Sequence, residues 1–220
     1  MSDARWHEID SFIQTKLLNP DDVLADVLAA NEAAGLPSID VSPAQGRLLT
    51  ILVRMMGARR ILEIGTLGGY STICLARGAG AEGHVVTLEY NPQHAAVARR
   101  NFARAGLEDR ITLHEGAALD LLEGLAPPPA SFDFVFIDAD KANNRHYLDW
   151  ARKLTRRGGV IVCDNVVRAG KVLDAQTADP AIIGTRDVYD ALSGAQDLTS
   201  TVIQTVGSKG WDGFAIALVE

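Results

Sequence analysis

The stretch Arg60-Ile-Leu-Glu-Ile-Gly-Thr-Leu-Gly-Gly-Tyr-Ser71 constrains the fold of this 220-residue chain more than any other. It reads as a short apolar strand, Ile61 to Ile64, running into a glycine-rich turn and then a helix. Gly65, Gly68 and Gly69 permit a sharp bend and let a ligand come close to the backbone. Glu63 stands just before the turn, and a second apolar segment, His84 to Leu88, ends on Glu89. In open α/β sheets ligands sit beyond the carboxyl ends of the strands, and an acid after the second strand commonly holds a ribose.

The spacing Gly65-x-x-Gly68-Gly69 is not the G-x-G-x-x-G that wraps a pyrophosphate. Glu63-x-Gly65-x-x-x-Gly69 instead resembles motif I of S-adenosylmethionine-dependent methyltransferases, whose ligand carries an adenosine and no phosphate. The plain alternative is a glycine-rich strand-to-helix turn with no ligand.

The rest of the chain alternates strand and helix, as a parallel sheet requires. Two amphipathic segments, residues 1–20 and Asp21 to Ala34, precede the first strand and are an addition to the core; Gly35 stops the second. Beyond packing on the core, they are expected either to help form a dimer interface or to cover the active site. Ser42-Pro43 starts a helix that runs to about Gly57, and Asn91-Pro92 starts another that ends near Gly106. Further strands are expected at Ile111 to His114, Phe132 to Ile137 (broken only by Asp133) and Val160 to Cys163, after Gly158-Gly159. Helices are expected at Ala118 to Leu125, Asn143 to Leu154 and Pro180 to Leu192, with Pro127-Pro128-Pro129 a surface turn and 166–179 a loop. Two last strands, Thr199 to Val206 and Gly213 to Val219, close the sheet across Gly207 to Asp212.

The net charge of −7 disfavours a nucleic-acid partner, because a phosphate backbone needs a basic face. No apolar run is long enough to span a bilayer, and the first residues carry no signal-peptide core, so no membrane partner and a cytoplasmic location are expected. Cys74 and Cys163 give no disulfide framework and read as inert thiols; the five histidines have no ligand-like spacing.

Chemistry gathers at two more strand ends, Ile137-Asp138-Ala139-Asp140-Lys141 and Cys163-Asp164-Asn165. Both fall on the sheet edge that carries Glu63 and Glu89. Carboxylates converging from neighbouring strands repel one another unless a cation lies between them. Asp138, Asp164 and Asn165 offer three hard oxygen ligands, which suit Mg²⁺ with water or substrate completing its shell; Mn²⁺ and Ca²⁺ stay open. Taken singly, each acid could equally cap the helix or loop that follows it.

Leu62-Glu-Ile-Gly-Thr-Leu-Gly-Gly-Tyr-Ser71, Glu89-x-Asn-Pro92, Phe136-Ile-Asp-Ala-Asp-Lys141 and Gly158-Gly-Val-Ile-x-x-Asp-Asn165, in this order and spacing, resemble the cation-dependent O-methyltransferases. That group includes the caffeoyl-CoA and catechol O-methyltransferases. The resemblance covers about residues 40 to 170. It implies a Rossmann-like α/β fold, a seven-stranded, mostly parallel sheet with an antiparallel last strand and helices on both faces. The chain then reads as a single methyltransferase domain, 1–220, with a helical addition over 1–40 and a core over 41–220.

Carried over, the resemblance puts S-adenosylmethionine against Glu89 (ribose), Glu63, Gly65, Thr66, Ser71 and Val41 (methionine side), Ala118 (adenine) and Asp138 (amino group). It gives the divalent cation to Asp138, Asp164 and Asn165, and makes Lys141 the general base for a hydroxyl of a small aromatic diol. That role asks burial and the cation to depress the Lys141 ammonium; the alternative is a surface lysine paired with Asp140. Asp140, Arg168 and Lys171 lie on loops near the metal and are candidates for contact with the acceptor. The family's Arg…Phe-Asn pattern is replaced by Thr185-Arg-Asp-Val-Tyr-Asp190, so contacts from that helix do not carry over. Tyr147 and Trp150 read as packing residues, and Trp211 as able to reach a partner or the acceptor. Two rivals stand beside this reading: a nicotinamide-dependent oxidoreductase, disfavoured by its missing glycine pattern, and a non-catalytic S-adenosylmethionine-binding module, disfavoured because Asp138, Lys141, Asp164 and Asn165 are all present. A homodimer is expected.

Overall fold

A computed structural model describes residues 3–125 and 128–220. Its elements follow local chemistry closely. Helices α1 (Asp3–Leu17) and α2 (Asp22–Ala33) come first, the latter capped by Asp21, whose carboxylate accepts from the Leu24 N–H at 3.1 Å. Helix α3 (Pro43–Met55) starts on Ser42 with proline in its first turn, as α5 (Pro92–Arg104) does on Asn91 and α8 (Pro180–Ser193) on Asp179. In each, the cap oxygen satisfies an N–H that the first turn leaves free, and proline has none to lose. The remaining helices are α4 (Tyr70–Ala79), α6 (Ala118–Leu125) and α7 (Asn144–Leu154). Met1, Ser2 and the expected turn residue Pro127 lie outside the described residues.

Seven strands, β1 (Arg60–Ile64), β2 (His84–Glu89), β3 (Ile111–Glu115), β4 (Phe132–Ile137), β5 (Thr155–Asp164), β6 (Leu198–Gly207) and β7 (Gly210–Val219), form one sheet in the order β3-β2-β1-β4-β5-β7-β6. The first five run parallel, and β7 is antiparallel to both of its neighbours. Ile61, Phe134, Phe136 and Val162 face a core shared with α3, α4 and α5, whereas Leu62, Ile64, Val135, Ile137 and Ile161 face the core under α6, α7 and α8. Asp133, the interruption in β4, is a clamp at the amino end of the sheet: it accepts from the Arg59 and Arg60 N–H groups at 2.8 Å and from Arg156 Nε at 2.6 Å.

Two expectations are corrected. β5 begins at Thr155 and not at Val160, so Gly158 and Gly159 lie within it; the pairing with β4 shifts register between Phe132 and Phe134, and the left-handed Gly158 (φ 72°) takes up the irregularity. The terminal hairpin is longer than its apolar pattern, because β7 starts at Gly210 and only Ser208-Lys209 separate the strands. Among the described residues no helix is long and apolar enough to cross a membrane.

The helical addition is bonded to the core by polar contacts. On α1, Asp10 Oδ2 accepts from the Ser208 N–H at 2.7 Å, docking the helix on the hairpin turn. On α2, buried Asn31 donates to Asp40 Oδ1 (2.9 Å) and accepts from Asn101 Nδ2 (3.1 Å), which also donates to the Gly68 carbonyl (2.8 Å). A Cβ at Gly68 would fall 1.9 Å from Asn31 Oδ1, so the glycine turn and α2 fit only without a side chain there. Asn31→Leu leaves Asp40 and Asn101 short of partners, and about 1–3 kcal/mol of unfolding free energy should be lost in urea titrations; an unchanged midpoint and slope would mean that the network carries no stability.

Candidate active site

Register is what assembles the site. Ile64 pairs with Leu88 and Ile137, and Ile137 pairs with Cys163. The next residue along each strand is therefore Gly65, Glu89, Asp138 or Asp164, level along the carboxyl edge. Beyond this edge opens a cavity of about 850 Å³. Of the expected residues, Val41, Gly65, Thr66, Ser71, Glu89, Ala118, Asp138, Asp140, Lys141, Asn165 and Arg168 line it; Glu63, Asp164 and Lys171 do not.

At Gly65 (φ 96°) a Cβ would fall 2.0 Å from the Asp138 carbonyl oxygen, so β1 and β4 converge only because this residue is glycine. The glycine turn is then held by Glu89. Its Oε2 accepts from the N–H groups of Thr66 (3.1 Å) and Leu67 (2.8 Å), and its Oε1 accepts from the Asn91 N–H at 2.8 Å. His94 Nδ1 lies 3.4 Å from the same Oε1 and lines the cavity.

Glu63 departs from the expectation that it lines the site. Its β1 position pairs with Thr87 in β2, which turns the carboxylate into the core beneath the cavity, fully buried. There it accepts from Ser71 Oγ (2.6 Å), Thr87 Oγ1 (2.7 Å) and Thr72 Oγ1, while Thr66 and Thr87 hydroxyls lie 2.6 Å apart. Burial pushes its pKa up to about 7 against the three hydroxyl donors. Glu63 thus reaches the cavity directly through Ser71, and through Thr87 to Thr66.

On the other half of the edge, Lys141 Nζ donates to Asp138 Oδ1 at 2.7 Å. Burial alone would lower the lysine, but the Asp138 charge and hydrogen bond outweigh it and hold the ammonium above its usual range. The depression expected from sequence depends on the cation as well as on burial, and the alternative pairing with Asp140 is not what forms. Asp164 is buried, with Oδ1 accepting from the Asn165 N–H (2.8 Å) and Oδ2 from Gln45 Nε2 (2.6 Å). Burial and the neighbouring Asp138 charge push it up to about 7. Asn165, in a left-handed conformation (φ 58°), presents its side chain to the cavity.

Among the described residues no group of three or more His, Cys, Asp or Glu side chains is arranged to hold a metal ion. The set at this edge is two carboxylates and one amide. Two acids crowded until one is pushed up to about 7 are a pair that a hard cation would relieve, and Mg²⁺, which keeps much of its water, needs few protein oxygens. The donors fit such an ion.

Asp140 lines the cavity, but both its oxygens are engaged, by Tyr147 Oη and by Asn143 Nδ2 (2.6 Å), so it orders the start of α7. Tyr147 packs in the core as read from sequence, and it also lines the cavity. Trp211 does not reach this cavity: it lines a second one, of about 470 Å³, with Nε1 donating to Gln204 Oε1 at 3.1 Å. Tyr189, in the helix that departs from the family pattern, donates to the Val166 carbonyl at 2.9 Å and so braces the loop after β5. Cys74 and Cys163 are free and buried, their thiols pushed up to about 12 by burial.

Sequence reasoning missed Gln45, His94 and Asp40. Gln45 and Asp40 stand either side of Val41-Ser42-Pro43, and no strand-end rule selects them. His94 lies one turn into the helix that Asn91-Pro92 announces, and its spacing from Glu89 was the signal that could have found it. The segment Ile39 to Val41, between α2 and α3, contributes to the cavity lining, whereas no residue of α1 or α2 lines it.

A sequence model of the O-methyltransferase family matches residues 18–206. The chain is 54% identical over 212 residues to the catechol O-methyltransferase of Mycobacterium tuberculosis, covering 96% of this chain and 95% of that one. It is similar to the O-methyltransferase from Bacillus cereus solved in complex with SAH (TM-score 0.97, 49% identity, all of both chains covered). It is also similar to the O-methyltransferase TomG from Streptomyces achromogenes, solved in complex with SAM (TM-score 0.95, 44% identity, 100% and 99% covered).

The Glu63 cluster has a pH consequence. Its folded pKa of about 7 lies above the ordinary glutamate value of 4.5, so between these values the folded chain keeps a proton that the unfolded chain releases. The group favours folding fully below pH 4.5, and its contribution falls away as pH rises through about 7. Glu63→Gln removes this slope, worth at most on the order of 3 kcal/mol. Denaturation curves of the two proteins should converge or cross across that window; parallel stability profiles would refute the shift.

Proposed function

The chain belongs to the O-methyltransferase family, and from that premise we propose that it transfers a methyl group from S-adenosylmethionine to one hydroxyl of a catechol-type small molecule held through its vicinal diol by a divalent cation. The observation that carries the reading is the register that brings the Glu89-braced glycine turn and the Asp138, Asp164-Asn165 oxygens to one cavity.

On this reading Glu89 holds the ribose hydroxyls with the lone pairs that its three N–H donors leave free. Gly65, Thr66, Ser71 and Val41 take the methionine end, with Glu63 acting beneath them through Ser71, and Ala118 borders the adenine. The glycine at 65 lets β4 close against the turn, which brings Asp138 beside the methionine end. Asp138 accepts the cofactor's amino group and, with Asp164 and Asn165, holds the cation. A bound divalent cation supplies Lewis acidity, lowering the pKa of a phenol from near 10 so that the oxyanion forms at neutral pH.

Lys141, buried at the same edge beside Asp138, would take the phenolic proton once a cation held by Asp138 offsets the carboxylate charge that keeps its ammonium protonated. The mouth of the site is bordered by Ile39, Leu67 and Tyr90, whose apolar surfaces suit a flat ring. Much of the acceleration is then positioning of the acceptor oxygen in line with the sulfonium methyl. The catechol assignment follows the name of the Mycobacterium tuberculosis relative.

Labelled methyl should pass from S-adenosylmethionine to a simple catechol in the presence of Mg²⁺ and not in EDTA. Lys141→Met should keep cofactor binding and lower kcat by about 10²–10⁴-fold. Methylation that survives EDTA would sink the cation site, and a Lys141→Met enzyme of normal kcat would sink the proton acceptor.

A further inference from the structure

The loop after β5 carries a cluster of strained residues. Arg168 (φ 55°) and Ala169 (φ 53°) are left-handed non-glycine residues followed by left-handed Gly170 (φ 81°). Such a run persists only where its surroundings over-determine it, and it marks places where a side chain must be aimed. Here Asp212 Oδ1 accepts from the N–H groups of Val167 (3.0 Å) and Arg168 (2.9 Å). Trp211 packs over Gly170, where a Cβ would lie 3.0 Å from the ring. Arg186 Nη1 donates to the Val172 carbonyl at 2.6 Å, closing the far end of the turn.

What this scaffold presents to the cavity is the Arg168 side chain. Its Nε is buried and has no hydrogen-bond partner, and among the described residues its guanidinium makes no hydrogen bond or ion pair. The other strong cation lining the cavity, Lys141, is paired with Asp138. A guanidinium offers a planar fork of donors that matches a carboxylate in two parallel hydrogen bonds. Leaving it unpaired while its Nε is cut off from water costs stability, and no acid among the described residues answers it.

We propose that Arg168 is the acceptor-binding residue that selects catechols carrying a carboxylate, with the ring's diol at Asp138, Asp164 and Asn165 and its acid group on the guanidinium. The inference rests on the methyl-transfer reading and deepens it: Asn165 and Arg168 stand on one loop, so one rigid turn addresses both ends of the acceptor. A neutral ester, or a catechol with a cationic amine, lacks the group that Arg168 awaits.

The test compares kcat/KM for protocatechuate and caffeate, each against its methyl ester, with plain catechol as reference, in the wild-type enzyme, Arg168→Gln and Arg168→Lys. At least one acid should exceed its ester by about ten- to hundredfold in the wild type, the range for a hydrogen-bonded charged group. Arg168→Gln should bring acid and ester to parity, Arg168→Lys should keep part of the preference as a point charge, and SAH affinity by calorimetry should be the same in all three. Wild-type parity of acid and ester, a preference that survives in Arg168→Gln, or a matching loss of SAH affinity would overturn the assignment, the last by giving Arg168 to the cofactor. Turnover of none of the five compounds would remove the methyl-transfer reading and this proposal together, a result distinct from catechol turned over without acid preference.

Discussion

Four acids brought to one edge of a sheet must each be given something to bind, and much of the local structure answers that demand. Glu63, Glu89, Asp138 and Asp164 come from four adjacent parallel strands, and three of them are buried. A buried carboxylate without partners is among the costliest groups a fold can hold. Each acid has a different solution: backbone N–H groups of the glycine turn for Glu89, threonine and serine hydroxyls for Glu63, the Lys141 ammonium for Asp138, and the Gln45 amide with the Asn165 N–H for Asp164. The turn geometry at Gly65 and the cap on α3 that positions Gln45 are parts of those solutions.

Elements far apart in the chain converge on the same edge as scaffolding. α2 meets the glycine turn through Asn31, and α1 meets the terminal hairpin through Asp10. The hairpin in turn supplies Asp212 to the loop after β5. The first helices and the last strands, which a core-only view would treat as additions, thus support opposite walls of one cavity.

The sheet and its edge were legible because they depend on local pattern. Apolar runs ending on Glu89, Asp138 and Asp164, alternating with helical segments, predict parallel strands whose carboxyl ends face one way. The side chain of Glu63 was not legible, since which face it takes depends on its pairing with Thr87, a partner 24 residues away in sequence. Gln45 escaped for a similar reason: its contact with Asp164 spans 119 residues, and an amide in the first turn of a helix looks like any polar surface residue. The start of β5 was misread because glycine pairs signal turns, whereas Gly158-Gly159 serve an irregular register. Asp140 lines the cavity as expected, and its oxygens also order the side chains that begin α7, a duty the sequence did not show.

The partners chosen for the acids divide the site in two. Around Glu89 they are backbone amides, and around Glu63 they are hydroxyls locked in the core; neither kind can leave without dismantling the turn. Around Asp138 and Asp164 they include the ends of long side chains, Lys141 and Gln45, which can swing away without dismantling the turn once another ligand takes their place at the acid. A rigid half suits a cofactor bound the same way at each turnover. An adjustable half suits groups that gain a ligand, pass a proton and release a product. The distinction follows from donor chemistry alone, and it matches the proposed placing of the ribose on the β1–β2 side and of the reaction on the β4–β5 side.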